Sequence, residues 1–180
     1  MKMKLMLILF LFILTVNNGG KIMLRSIFEH SGKSAKANVK AEAALATGMG
    51  VVIDGTTAKL PSAETAEDIY VVNKARILSG IDAGRVEASD YLDSFNKVAA
   101  GEFLVAENFD FGEEFATDQY KAADMVSANK GKRVSVGTDG KWIVATKSTV
   151  SSKYVFIDTY TDNGHTLARI GVSDTAKANA

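Results

Sequence analysis

Between residues 41 and 173, apolar residues alternate with polar ones or gather in short β-branched runs, punctuated by three Asx-Gly pairs. Alternation with period two predicts half-buried strands. Asp-Gly and Asn-Gly suit two-residue hairpin turns, whose central residues adopt φ > 0. Residues 50–53 (GVVI) form the first such run, Asp54-Gly55 its turn and 56–60 its return strand, which Pro61 ends because it has no N–H to give the ladder. A turn or single helical turn is expected over 62–67. Residues 68–73 (DIYVVN) are apolar on both faces, so this strand is expected at the centre of the fold. Shorter strands are predicted over 102–106 (EFLVA) and 114–117 (EFAT). Two further hairpins close the chain, 133–145 turning at Asp139-Gly140 and 153–172 turning at Asn163-Gly164. This spacing predicts an all-β fold, a small barrel or sandwich built from hairpins, in a single β domain over 41–173.

Four stretches break the pattern. Leu92, Phe95 and Val98 recur every third residue, with Asp90 and Asp93 near the start, so a short helix over 90–98 competes with irregular chain. Residues 24–40 are polar and weakly patterned, with Arg25, Lys33, Lys36 and Lys40. Segment 23–40 is expected to be a flexible extended arm that orders on a partner's acidic surface. Residues 174–180 (DTAKANA) offer nothing to bury and are expected to be a flexible tail.

The fourth stretch, residues 1–22, opens with two lysines and an apolar run that resembles a signal peptide but lacks a small-x-small cleavage site. The run falls short of the ~20 apolar residues of a membrane span. Gly19-Gly20 can also be encoded by GGAGG, the core of a bacterial ribosome-binding site, with Lys21 and Ile22 as spacer before Met23. Three readings stand: mis-called upstream sequence with Met23 as the start, a true signal peptide, or an anchor. Starting at Met23 removes three lysines from 21 basic residues, leaving 18 against 21 acidic, about −3.

With 21 basic and 21 acidic residues in the full chain, no overall field draws it toward nucleic acid or an anionic membrane. There is no cysteine, which removes disulfides, thiolate metal sites and cysteine nucleophiles. The chain contains no HExxH, GxSxG, GxxxxGK[ST] or GxGxxG motif, and Gly48-Met49-Gly50 precedes a strand rather than a phosphate-cradling helix. His30 falls in the arm and His165 in a hairpin turn, where an exposed polar residue is expected. Asp110, Glu113, Glu114 and Asp118 are the only cluster with acid–base potential; they are expected to form a solvated loop, pointing apart. Asp158, Asp162 and Asn163 lack the spacing of a calcium loop. Tyr70, Phe103, Phe115, Trp142, Tyr154 and Phe156 fall on predicted strands and are assigned to the core. No catalytic, cofactor or metal residue is therefore assigned, and no enzymatic activity is expected.

The ordered segments VVIDGTTAKLPSAETAEDIYVVNKARI, AGEFLVAENFDFGEEFATDQY, GKRVSVGTDGKW and SSKYVFIDTYTDNGHTLARIGVSDT resemble the auxiliary capsid proteins of tailed bacteriophages, the decoration or head-fibre-like proteins. The resemblance spans about residues 36–178 and rests on segments in order, none of them a chemical signature. It implies a structural virion protein on the capsid surface, assembled in the host cytoplasm, with the major capsid protein as partner and a homo-oligomeric state. It implies no nucleic acid, and no membrane unless the leader is real. The leader departs from the pattern, since a head protein needs no signal peptide. The alternative is a secreted or cell-surface β-sandwich module that binds carbohydrate or protein, with residues 1–22 as its signal peptide.

Overall fold

The computed structural model describes residues 23–29, 34–74, 96–146, 149–162 and 164–180. The chain is mainly β, as its patterning predicts, and of the two expected architectures it contains the barrel, with a separate sheet beside it. A closed five-stranded barrel runs in the order β2 (Ser34–Ala41), β5 (Thr57–Lys59), β4 (Gly50–Asp54), β6 (Tyr70–Asn73), β8 (Phe103–Asn108) and back to β2. Beside it stands a four-stranded antiparallel sheet, in the order β1 (Leu24–Phe28), β9 (Glu114–Thr117), β13 (His165–Lys177), β12 (Ser152–Asp162). Two small pairs complete the fold: β3 (Leu45–Ala46) with β7 (Lys97–Val98), and β10 (Val134–Val136) with β11 (Trp142–Val144).

The strand that is apolar on both faces joins the two halves. In β6, Val72 packs into the barrel with Val39, Val51, Leu104 and Ala106, while Val71 points the other way into the core of the sheet. Both valines are fully buried, each worth about 1.5–3 kcal/mol of transfer free energy. The second core is aromatic. Phe109, Phe115, Trp142 and Tyr154 stack in series with ring centroids 4.5, 5.2 and 5.0 Å apart, in tilted and edge-to-face contacts. Their polar ends are satisfied. Trp142 Nε1 donates to the Gly48 carbonyl at 3.0 Å, and the Tyr154 hydroxyl donates to the Ile69 carbonyl at 3.2 Å. Gly48 allows the first of these contacts. Its φ is +91°, and a Cβ there would lie 2.1 Å from Thr117 Oγ1.

The three hairpins exist, with one shift. Asn163-Gly164 lies within a two-residue connection, Asp162 pairing with His165, although Asn163 itself falls outside the described residues. At Asp139-Gly140, Gly137 N–H bonds the Lys141 carbonyl, Gly140 N–H bonds the Gly137 carbonyl and Gly140 sits at φ +76°, the three-residue connection with a left-handed glycine. The first hairpin turns one residue later than expected. Asp54 pairs with Thr57, so the loop is Gly55-Thr56 and only Gly55 has positive φ, +59°. That register pairs Ala58 with Ile53 and buries Ala58 in the barrel, so packing overrides the Asp-Gly preference.

Two other expectations are corrected, and a third is cut short at its end. The described parts of segment 23–40, residues 23–29 and 34–40, are extended, but they are built into the fold. β1 pairs antiparallel with β9, and β2 closes the barrel by pairing antiparallel with β8 and parallel with β5. Backbone pairing fixes it where side chains cannot, since in β2 only Val39 and Ala41 are buried. The tail is likewise held. β13 runs to Lys177, opposite Ser152, and the Asn179 side-chain amide donates to the carbonyls of Arg133 and Ala145 and accepts from Arg133 N–H, each within 2.9 Å. The amide thus substitutes for one more rung of strand pairing. The helix expected over 90–98 meets a strand at its end, because Lys97 and Val98 form β7 opposite Ala46 and Leu45, with Val98 buried in the barrel; residues 90–95 lie outside the described residues. The leader 1–22 and His30 also lie outside them.

Candidate functional site

The acidic segment was the strongest chemical candidate in the sequence, and the structure disperses it into structural roles. Glu113 is not solvated; it is 1% exposed. Its Oε2 accepts the Asp110 N–H at 2.7 Å, while its own N–H donates to the Asp110 carbonyl at 3.0 Å, so the carboxylate closes the turn through Phe111 and Gly112. Glu114, half-buried on β9, accepts from Arg169 Nε at 2.8 Å and also from Nη2 across the sheet. Asp118 sits at the end of β9. Burial pushes its pKa above the ordinary carboxylate value, opposed by hydrogen bonds from the Gln119 amide and the Met23 backbone and by the charge of His165. Asp162 pairs with Arg25 Nε at 2.9 Å, tying the far hairpin to β1. Glu64, outside that segment, is also engaged: it accepts from the Ser135 hydroxyl at 2.7 Å and from Thr146. Among the described residues no three His, Asp or Glu side chains gather in a metal-binding group.

Of the six aromatics assigned to the core, Phe115, Trp142, Tyr154 and Phe156 are fully buried. Tyr70 is half-buried at one end of the barrel, with Lys36 Nζ 4.8 Å from its ring centroid. Phe103 is not a core residue. It is 55% exposed on the outside of β8, under Lys40 Nζ at 4.9 Å. Alternation explains this, since Leu104 and Ala106 take the inward positions on that strand. Phe111, at the tip of the turn that Glu113 closes, is 64% exposed.

A pocket of about 410 Å³ opens where the barrel meets the sheet. Glu67, Asp68 and Tyr70 reach it from the approach to β6, Asn108 from the end of β8, and Ser151 from the residue before β12, while Ile69 and Tyr154 form its floor. Asp68 holds φ +50°, the only positive φ outside glycine among the described residues. Burial, followed by the charges of Asp110, Tyr70 and Asp68, pushes the Tyr154 hydroxyl well above its ordinary pKa, so it remains a neutral donor. Sequence reasoning missed this group because its members come from three separated segments and match no spacing rule. Compared with protein families, curated proteins and solved structures, the chain has no significant match.

Proposed function

We propose that this protein is a non-catalytic structural protein that decorates the outer surface of a tailed-phage capsid, docking as a homo-oligomer on the major capsid protein. The observation that carries the reading is how the chain spends its side chains. Two of the carboxylates with acid–base potential, Glu113 and Glu114, serve the chain's own backbone and Arg169, whereas large apolar residues, Phe103 on β8 and Phe111 on a braced turn, face outward. Aromatic side chains on rigid elements are the usual anchors of a protein interface. The resemblance over residues 36–178 supplies the capsid as the surface concerned, and many equivalent sites on a shell make a weak contact per copy sufficient.

The test is co-sedimentation of purified protein with expanded heads that lack accessory proteins. Saturable binding that falls when Phe103→Ser and Phe111→Ser are combined supports the reading. Protein that stays in the supernatant while another accessory protein saturates the same heads removes it.

A further inference from the structure

Among the described residues, the pocket beside Tyr154 gathers several unpartnered polar side chains in one place, Tyr70 and Asn108 half-buried and Glu67, Asp68 and Ser151 exposed at its rim. Elsewhere most buried or half-buried polar side chains are matched, Glu113 to Asp110, Glu114 to Arg169, Asp162 to Arg25 and Asn73 to Glu107, while the buried Thr47 hydroxyl and one Asp158 carboxylate oxygen stand unbonded singly. At the pocket, the Glu67 and Asp68 carboxylates, the Asn108 amide and the Ser151 and Tyr70 hydroxyls have no side-chain hydrogen-bond or ion-pair partner among the described residues. These five groups converge from three segments on one concavity, over a floor made by buried Ile69 and Tyr154.

The chemistry of this rim selects its ligand. An anion is disfavoured, because two unpaired carboxylates stand at the edge and the lining cation, Lys153, already donates to the Phe109 carbonyl at 2.9 Å. A purely apolar ligand is disfavoured as well, since it would strip water from five polar groups and return no hydrogen bonds. Ionised carboxylates only accept, an amide both donates and accepts, and hydroxyls do either. A neutral molecule with several adjacent hydroxyls satisfies all of them, and its C–H faces suit the Ile69 and Tyr154 floor. The volume is within the range of small-molecule sites, about 300–1,000 Å³.

We infer that this pocket binds carbohydrate, one or two pyranose units held by Glu67, Asp68, Asn108, Ser151 and Tyr70. It is a second binding site, independent of the docking surface proposed above.

The experiment follows the backbone amides of the full chain by two-dimensional NMR during separate titrations with glucose, galactose, N-acetylglucosamine and rhamnose. Glycerol and tetramethylammonium serve as controls. A saturable shift of residues 66–70, 108 and 151 by at least one sugar, with neither control doing the same, is the expected result. Asp68→Asn and Asn108→Ala should each weaken it about tenfold, the loss of one or two hydrogen bonds. Asn is at home in the left-handed region, so the Asp68→Asn protein should keep its Tm and isolate binding from folding. The inference is overturned if no sugar moves these amides, if glycerol or tetramethylammonium moves them equally, or if the shifts survive both substitutions. The same two variants should still co-sediment with heads. If they lose the heads without any sugar bound by the parent protein, the pocket belongs to the capsid contact and the carbohydrate inference fails on its own.

Discussion

Asp118 shows how one side chain can work against its own fold. Its carboxyl is half-buried where β9 ends, and burial outweighs the help of Gln119, Met23 and His165, so the folded state holds its pKa above the ordinary 3.8. Folding therefore disfavours the ionised form: the charge costs stability above the folded pKa, and that cost fades as pH falls through the folded pKa toward the unfolded one. Asp118→Asn removes the charge and keeps an oxygen for the 2.7 Å bond from Gln119 Nε2. It is expected to raise Tm at neutral pH, the gain shrinking to nothing by about pH 3.5. Thermal melts of both proteins at the two pH values read this directly, and a lower Tm for the variant at neutral pH would show that the partners hold the charge after all. Such roles were only half legible in the sequence. The acidic cluster was visible as composition, but whether a carboxylate meets solvent, its own turn or a distant partner depends on residues far away in sequence, as Arg169 is 55 positions from Glu114.

At the scale of elements, legibility followed locality. The hairpins could be read because each strand's partner is its neighbour in sequence and a glycine marks the turn. β2 could not, because SAKANVKA carries just two buried residues, and what makes it a strand is pairing with β8 and β5. The parallel contact with β5, Lys40 beside Thr57 and Ala41 beside Ala58, belongs to no hairpin and has no local signal. The consequence for truncation is concrete. A chain beginning at Ala41 lacks β1 and all of β2 except its final residue, so it opens the barrel between β5 and β8 and exposes the edge of β9. It is expected to lose its cooperative thermal transition, whereas a chain beginning at Ser34 gives up β1 alone and should fold with a reduced Tm. Differential scanning calorimetry of the two separates a structural strand from a dispensable arm. An unchanged transition in the shorter chain contradicts the barrel as described.

For the molecule as a whole, β6 makes one cooperative unit of two cores. Val71 and Val72 are adjacent in sequence and serve opposite cores, so damage to either is transmitted through a shared backbone. Val71→Ala and Val72→Ala are each expected to cost about 2 kcal/mol as buried large-to-small changes. Both should leave a single unfolding transition. Trp142 is the only tryptophan and lies in the aromatic core, so its fluorescence reports the sheet side, while far-UV circular dichroism reports both sides. Coincident midpoints from the two probes in both variants are the expected outcome. Separate midpoints would mean that the barrel and the sheet melt independently. The two-sided character of β6 was plain from its apolar run, but the sequence did not say that its second face would meet another sheet's core rather than the other half of a sandwich.

The strand order also carries a timetable for synthesis. Every strand of the barrel has been made once Asn108 has emerged from the ribosome, so the barrel can close while the rest of the chain is still being translated. The sheet cannot. β1 is the first described strand, yet its neighbour β9 is completed only at Thr117, and the sheet's central strand, β13, is the last to be made. β1 can pair as soon as β9 emerges, but β9 then waits beside a finished barrel with its second edge, the one β13 takes, unsatisfied. A nascent chain stalled between Thr117 and residue 165 would present that edge of β9, together with the unclosed aromatic core, to chaperones and to its own copies on the same polysome.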